Sequence, residues 1–223
     1  MTRSRAGLTL DLLRGSEVTA VLPALAALKV DVFQEWPYLH AGHRVSEEAS
    51  LRIYAESPNS VFALARDADG RIVAASSGLP LVDGDEAFLQ PFEAAGIDPA
   101  QVFYLGEAAL LPAFRGLGLG EDLFAAREAH AAALGGFRWT AFCSVDRDER
   151  DPRRPAGHRG PEALWAKRGY VRRDDLRCTL DWPEAAGGRD VAHRLTFHLR
   201  PLDAPSARQA GLSDQPQRHG AER

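Results

Sequence analysis

Cysteine is scarce: Cys143 and Cys178 are the two in a chain of 223 residues. That is too few for a disulfide framework and predicts a reducing, cytoplasmic setting. No apolar run approaches the ~20 residues of a membrane span. The opening MTRSRAG is basic, but LTLDLLRGSE after it is too short and too charged for a secretory core. Long single-sign charge blocks are missing as well. The 27 basic and 31 acidic residues leave a formal net charge of −4 spread along the chain. This excludes the broad basic field of a nucleic-acid binder, though not a small anion caught by a few local groups. No internal repeat is visible. What is present is a hydrophobic content of 45%, enough for a core.

The order of elements reads as follows. GLTLDLLRG predicts an opening strand. Ser16 caps the apolar-periodic EVTAVLPALAALKVDVFQEW, where Pro23 shifts the helix start or kinks it. A second helix covers SEEASLRIYAES, capped by Ser46. Two apolar runs around DADG, in SVFALARDADGRIVAASSGLP, predict a hairpin. An acidic insertion from Asp83 to Asp98 carries a short helix, and VFYLGEAALLP reads as a buried strand. A helix over 120–134 stops at Gly135–Gly136, FRWTAFCSV is the next strand, and a polar loop over 146–160 leads to the short helix PEALWAKRG. Two more strands, YVRRDDLRCTLDW and VAHRLTFHLRPL, close the order. Residues 203–223 have almost nothing to bury and predict a disordered tail after a single domain over 1–202.

Between the strand VFYLGEAALLP and its following helix lies PAFRGLGLGEDLF, with glycines at 116, 118 and 120. Strand, glycine-rich turn, then helix is an arrangement for anions. Free amides and the positive end of the helix dipole favour phosphate oxygens. A G-x-G-x-x-G dinucleotide signature fails in both registers, because Glu121 or Leu123 stands where the third glycine belongs. A P-loop fails too, since no Gly-Lys-Ser/Thr follows. What stands is Arg115-x-x-Gly118-x-Gly120, and the plain alternative is a helix-capping turn.

This pattern resembles the pyrophosphate-binding motif of the GNAT superfamily of acetyl-CoA-dependent N-acetyltransferases, whose consensus is Arg/Gln-x-x-Gly-x-Gly/Ala. LWAKRGY, Leu164 to Tyr170, looks like the family's second CoA-side motif, aromatic-Tyr-x-x-x-Gly-Phe. The likeness spans roughly Leu8 to Leu202, with specific signal from Tyr104 to Tyr170. It implies an α/β (α+β) fold: a mixed, mostly antiparallel sheet of about seven strands with helices on both faces. It also implies acetyl-CoA as cosubstrate, no metal, and a small-molecule or peptide amine as acceptor. A homodimer is one option, since the family often dimerises. On this resemblance Arg115, Gly116, Leu117, Gly118, Leu119 and Gly120 wrap the CoA diphosphate. Ala109, Leu110 and Leu111 line the pantetheine arm, where their strand parts from the next, and a backbone amide there holds the oxyanion.

Candidates for the chemistry are few. Glu107 lies in an otherwise apolar strand, where an unpaired carboxylate is expensive to bury, so it faces a cleft, a cation or water. It shares a strand face with residues 109 and 111. It is the candidate base, directly or through water, or else a carboxylate paired with an arginine for stability. Trp165 occupies the position where many relatives carry a thiolate-protonating tyrosine. Indole cannot act as that acid, so Trp165 is a packing or pantetheine-contact residue. Tyr170, Tyr104 and Tyr38 are the remaining acid candidates, and unaided departure of the thiolate is the other route. Cys143 is either an acyl-cysteine nucleophile activated by His158 or a small buried hydrophobe. His130 falls on the apolar stripe Leu119, Leu123, Ala126, Ala133 and Leu134, as a structural histidine. His40 and His43 lack the further ligands of a metal site. The arginine-rich loop 146–160 reads as a substrate lid or as a solvated connector.

Two other readings stay open. One is an acyl-CoA-binding sensor or partner domain without catalysis, motivated by Trp165. The other is a nucleotide-binding enzyme using the glycine turn for ATP, although the lysine and acidic metal ligand it needs are missing.

Overall fold

The computed structural model describes residues 3–5, 7–184 and 188–202. The expected tail over 203–223 lies outside them. A short strand β1 (Arg3–Arg5) precedes β2 (Leu8–Arg14). The first predicted helix arrives in two pieces: a 3-10 turn over Gly15–Val21, then α1 (Leu22–Phe33). Pro23 sits in the first turn of α1, where its missing N–H is tolerated, so it marks a start and makes no kink. Helix α2 (Arg44–Glu56) begins two residues before the expected Ser46 cap. Ser46 Oγ instead donates to His43 O at 2.8 Å from within the first turn.

The hairpin forms as β3 (Val61–Arg66) and β4 (Ile72–Pro80), and the acidic insertion carries α3 (Glu86–Ala94). The predicted strand over 102–112 is divided into β5 (Val102–Tyr104) and β6 (Ala108–Leu110). Helix α4 (Leu119–Leu134), β7 (Trp139–Val145), α5 (Glu162–Lys167), β8 (Val171–Pro183) and β9 (Asp190–Pro201) complete the order.

The strands run β1-β2-β3-β4-β5-β7-β9-β8, with β6 paired to β4. All described pairs are antiparallel except β5 with β7. Among the described residues nine strands stand where about seven were expected, because β1 adds one edge and a break splits another. Helices cover both faces. Leu25, Leu28, Leu51 and Phe92 from α1, α2 and α3 pack on one side. Leu119, Leu123 and Phe124 of α4, with Leu164 and Trp165 of α5, pack on the other. The buried face of α4 departs from the predicted stripe. Ala133 and Leu134 are exposed, and Arg127, Glu128 and Ala131 are buried in their place.

Candidate active site

The break between β5 and β6 is a bulge. Leu79 pairs with Tyr104 and Ser76 with Ala108, so three residues, Leu105 to Glu107, lie opposite the two residues Ser77 and Gly78. Before the bulge the chain pairs with β7, the last contact being Leu105 N–H to Ala141 O at 2.7 Å. After it, β6 pairs with β4, and among the described residues no strand pairs with that side of β7 from Phe142 onward. A gap therefore opens between β6 and β7, as the resemblance implies.

Backbone alternation decides which amides face this gap. Ser77 N–H donates to Glu107 O at 2.8 Å and Leu111 N–H to Val73 O at 3.0 Å. Residues 107, 109 and 111 thus turn their peptide groups to β4, and Ala108 and Leu110 turn theirs away. Of the three residues expected to offer an amide, Leu110 is the one whose N–H is left for the gap; those of Ala109 and Leu111 serve the sheet. The side chains of Ala109 and Leu111 pack in the α1–α2 core, the side on which Glu107 meets Lys29.

The glycine turn stands at the end of this gap. Arg115, Gly116 and Leu117 are exposed, Leu117 to 42% although it is a leucine. Gly118 caps α4 in the left-handed region, φ 81°, which a side chain would strain. Among the described residues the peptide nitrogens of 116–120 donate to no protein acceptor. Arg115 reaches back: its Nη2 bonds Glu35 Oε2 at 2.8 Å and Leu110 O at 3.2 Å, so it shapes the turn against β6 and the segment that follows α1. Glu121 turns toward Lys167 on α5.

Glu107 is paired, and its partner is a lysine. Lys29 Nζ lies 2.8 Å from Glu107 Oε1 and 2.9 Å from Glu47 Oε2. Burial alone would pull the Lys29 ammonium down, but the carboxylates of Glu107 and Glu47 outweigh it and hold it above its ordinary value. His40 Nε2 stands 3.5 Å from Glu47 Oε1, and its own burial, the largest influence on it, keeps that ring neutral at neutral pH. Ser77 Oγ accepts from Glu107 N–H at 2.8 Å. A Cβ on Gly106 would lie 1.9 Å from the Tyr54 hydroxyl, so this glycine admits that side chain to the bulge.

Solved structures carry the same arrangement of strands and helices. A GNAT-family acetyltransferase from Listeria monocytogenes 4b F2365 matches with a TM-score of 0.57 at 12% identity, over 91% of this chain and 100% of its own. The chain has the GNAT fold. A GCN5-related N-acetyltransferase from Kribbella flavida gives 0.52 at 20% identity over 88% and 98%. The Salmonella typhimurium protein yncA, solved with its cofactor acetyl-CoA, gives 0.50 at 13% over 90% and 97%. No family model matches the sequence, and no curated protein is similar to it.

Within this GNAT fold the second motif lies across the gap from β6. Trp165 packs against Phe142 and His198, each with ring centroids 4.9 Å away. Burial and then Arg172 push His198 down to about 4, so its ring is neutral, and Ser144 Oγ is 3.0 Å from its Nε2. The Tyr170 hydroxyl is held by Glu128 Oε1 and Thr140 Oγ1, both at 2.9 Å. Tyr104 is buried and Tyr38 half-buried, and desolvation raises both phenols. Tyr104 Oη sits 3.1 Å from Cys143 Sγ, while His158 lies edge-on to Trp36, so the structure does not bring Cys143 and His158 together. His130 is structural as expected, its Nε2 2.9 Å from Asn59 O. In the loop, Arg147 and Arg153 are both taken by Glu184, and Arg147 also donates to Pro37 O and Tyr38 O.

Lys29, Glu47, Tyr54 and Ser77 went unread in the sequence. For Lys29 a signal exists: it is one of two lysines in the chain, set in the apolar run ALAALKVDVF. Glu47, one of many acidic residues in a polar helix, carries none.

Proposed function

We propose that this chain is an N-acetyltransferase that moves an acetyl group from acetyl-CoA to a primary amine of a small molecule or peptide by direct attack in a ternary complex. The observation that carries this is the split of the sheet at residues 105–107, with the Leu110 amide on the open side and Glu107 beside it. The unbonded amides of 116–120 and the exposed turn fit a diphosphate, and Trp165 fits a wall for the pantetheine arm. Thioester and amine are both substrates here. An acceptor ammonium, pKa ~10.4 if lysine-like, passes its proton to Glu107 directly or through water. The freed nitrogen forms the new C–N bond as the C–S bond breaks, and Leu110 N–H donates to the carbonyl oxygen as charge develops on it. The proton still in excess on the attacking nitrogen passes to the departing sulfur, leaving a neutral amide. The CoA sulfur leaves as a thiolate that takes up this proton, a far weaker base than an alkoxide or amide anion. Lys29 and Glu47 hold Glu107 in place. We take residues 1–202 as the functional unit, in a reducing, cytoplasmic setting that suits two free thiols.

The test is release of CoA thiol from acetyl-CoA in the presence of a panel of primary amines and peptides. Turnover that depends on the amine supports the proposal, and none at any pH removes it. Glu107→Gln should lower kcat by about 10²–10⁴-fold, most at low pH where the acceptor is protonated. An unchanged pH–rate profile eliminates Glu107 as base. The position of Trp165 favours one further reading, an acyl-CoA-binding domain without catalysis. Calorimetric CoA binding with no turnover would establish it.

A further inference from the structure

The largest fully buried side chain in the described molecule is charged. Arg127, midway along α4, is 2% exposed. Its Nε donates to Leu123 O and its Nη1 to Ser77 O, both at 3.2 Å, and its guanidinium lies over the Phe124 ring at 4.7 Å. The neighbouring carboxylate, Glu128, is given to Arg168 and Arg200 instead. Burial draws the Arg127 guanidinium down to about 10, so it keeps its charge at neutral pH. Methionine or leucine would fill such a place without desolvating an ion.

What the arginine reaches explains its presence. Ser77 stands opposite the bulge, and each of its polar atoms is committed there. Its carbonyl accepts from Gly106 N–H at 3.0 Å and from Arg127, its N–H donates to Glu107 O at 2.8 Å, and its Oγ accepts from Glu107 N–H at 2.8 Å. We propose that Arg127 is a positioning residue for Glu107: it clamps Ser77 from the far side of the sheet, holds the bulge that opens the gap, and ties it to the helix that carries the glycine turn. The catalytic part of this rests on Glu107 acting as base; the clamp itself does not.

Three variants of the full chain test it: Arg127→Met, Arg127→Gln and Arg127→Lys. In the Met variant the Gly106 and Glu107 amides should exchange hydrogen about tenfold faster by NMR, with Phe62 and Leu64 of β3 unchanged. CoA affinity by calorimetry should stay at the wild-type value. With an amine that the wild type accepts, kcat should fall between about 10- and 100-fold at constant KM for acetyl-CoA. Lysine should restore part of it, since an ammonium can still donate to Ser77 O. If the Met variant does not fold, Gln carries the same expectations, its amide being too short to reach. Wild-type exchange at Gly106, or a kcat that falls only together with CoA affinity, overturns the proposal. If the wild type turns over no amine, the acetyltransferase reading fails by itself, and the exchange measurement still decides the clamp.

Discussion

At the scale of single residues, the ammonium of Lys29 keeps two carboxylates together in a partly desolvated site. Its side chain is 13% exposed and that of Glu47 is 6%. Lys29→Met would leave the Glu47 carboxylate buried with only the His40 ring beside it. The expected loss is about 3–5 kcal/mol of unfolding free energy near neutral pH, read by denaturant titration, with Glu47→Leu in the same chain recovering part of it. A change under 1 kcal/mol would mean that the pair is solvated in solution. Glu107 was legible in the sequence, because a carboxylate inside an apolar strand demands a reason. Its partner was not: the expected arginine is a lysine, since what reaches Glu107 depends on which helix crosses the sheet there.

At the scale of elements, α4 is where local pattern and packing disagree. Its start was legible to within one residue, because a left-handed cap at Gly118 is a local requirement that glycine meets. Its buried face matches the predicted stripe at Leu119, Leu123 and His130 and departs from it at Ala133 and Leu134. Leu119, Leu123, Arg127 and Ala131 recur every fourth residue, but a charged residue in that row reads as surface until its acceptors are known. Glu128 joins α4 to α5 and β9 through Arg168 and Arg200. Burial pushes its carboxyl up, but hydrogen bonds from Arg168 and Tyr170 and the two guanidinium charges outweigh this and hold it below its ordinary 4.5. A depressed carboxylate contributes stability that is present above 4.5 and lost as pH falls through the folded value. Glu128→Gln should therefore cost about 1–3 kcal/mol at neutral pH, where two guanidinium partners lose their carboxylate, and the gap to wild type should narrow in acid. Urea midpoints measured across that range check this, and a gap that stays constant with pH would contradict it.

At the scale of the whole molecule, the sheet is paired on one side of the bulge and parted on the other, and no single element explains that. A ligand seated along the parting binds the folded chain alone. At 100 times its dissociation constant CoA should add about 2.7 kcal/mol, roughly 5–10 °C in the thermal midpoint for a chain of this size. Gly118→Ala, strained at its φ of 81°, should need more CoA for the same shift. ATP giving the larger shift would favour the nucleotide reading.

The amino-acid sequence alone determined the elements whose causes are local. These are the hairpin around DADG, the glycine turn ahead of α4, and the approximate strands and helices that make the GNAT fold readable. Tertiary structure alone decided the bulge, the gap and the polar contacts behind it. Glu107 meets Lys29 across 78 positions of sequence, and Arg127 meets Ser77 across 50. Periodicity reports which face of an element is apolar, while register and crossing select the partner of a buried charge, and that selection is made between distant segments.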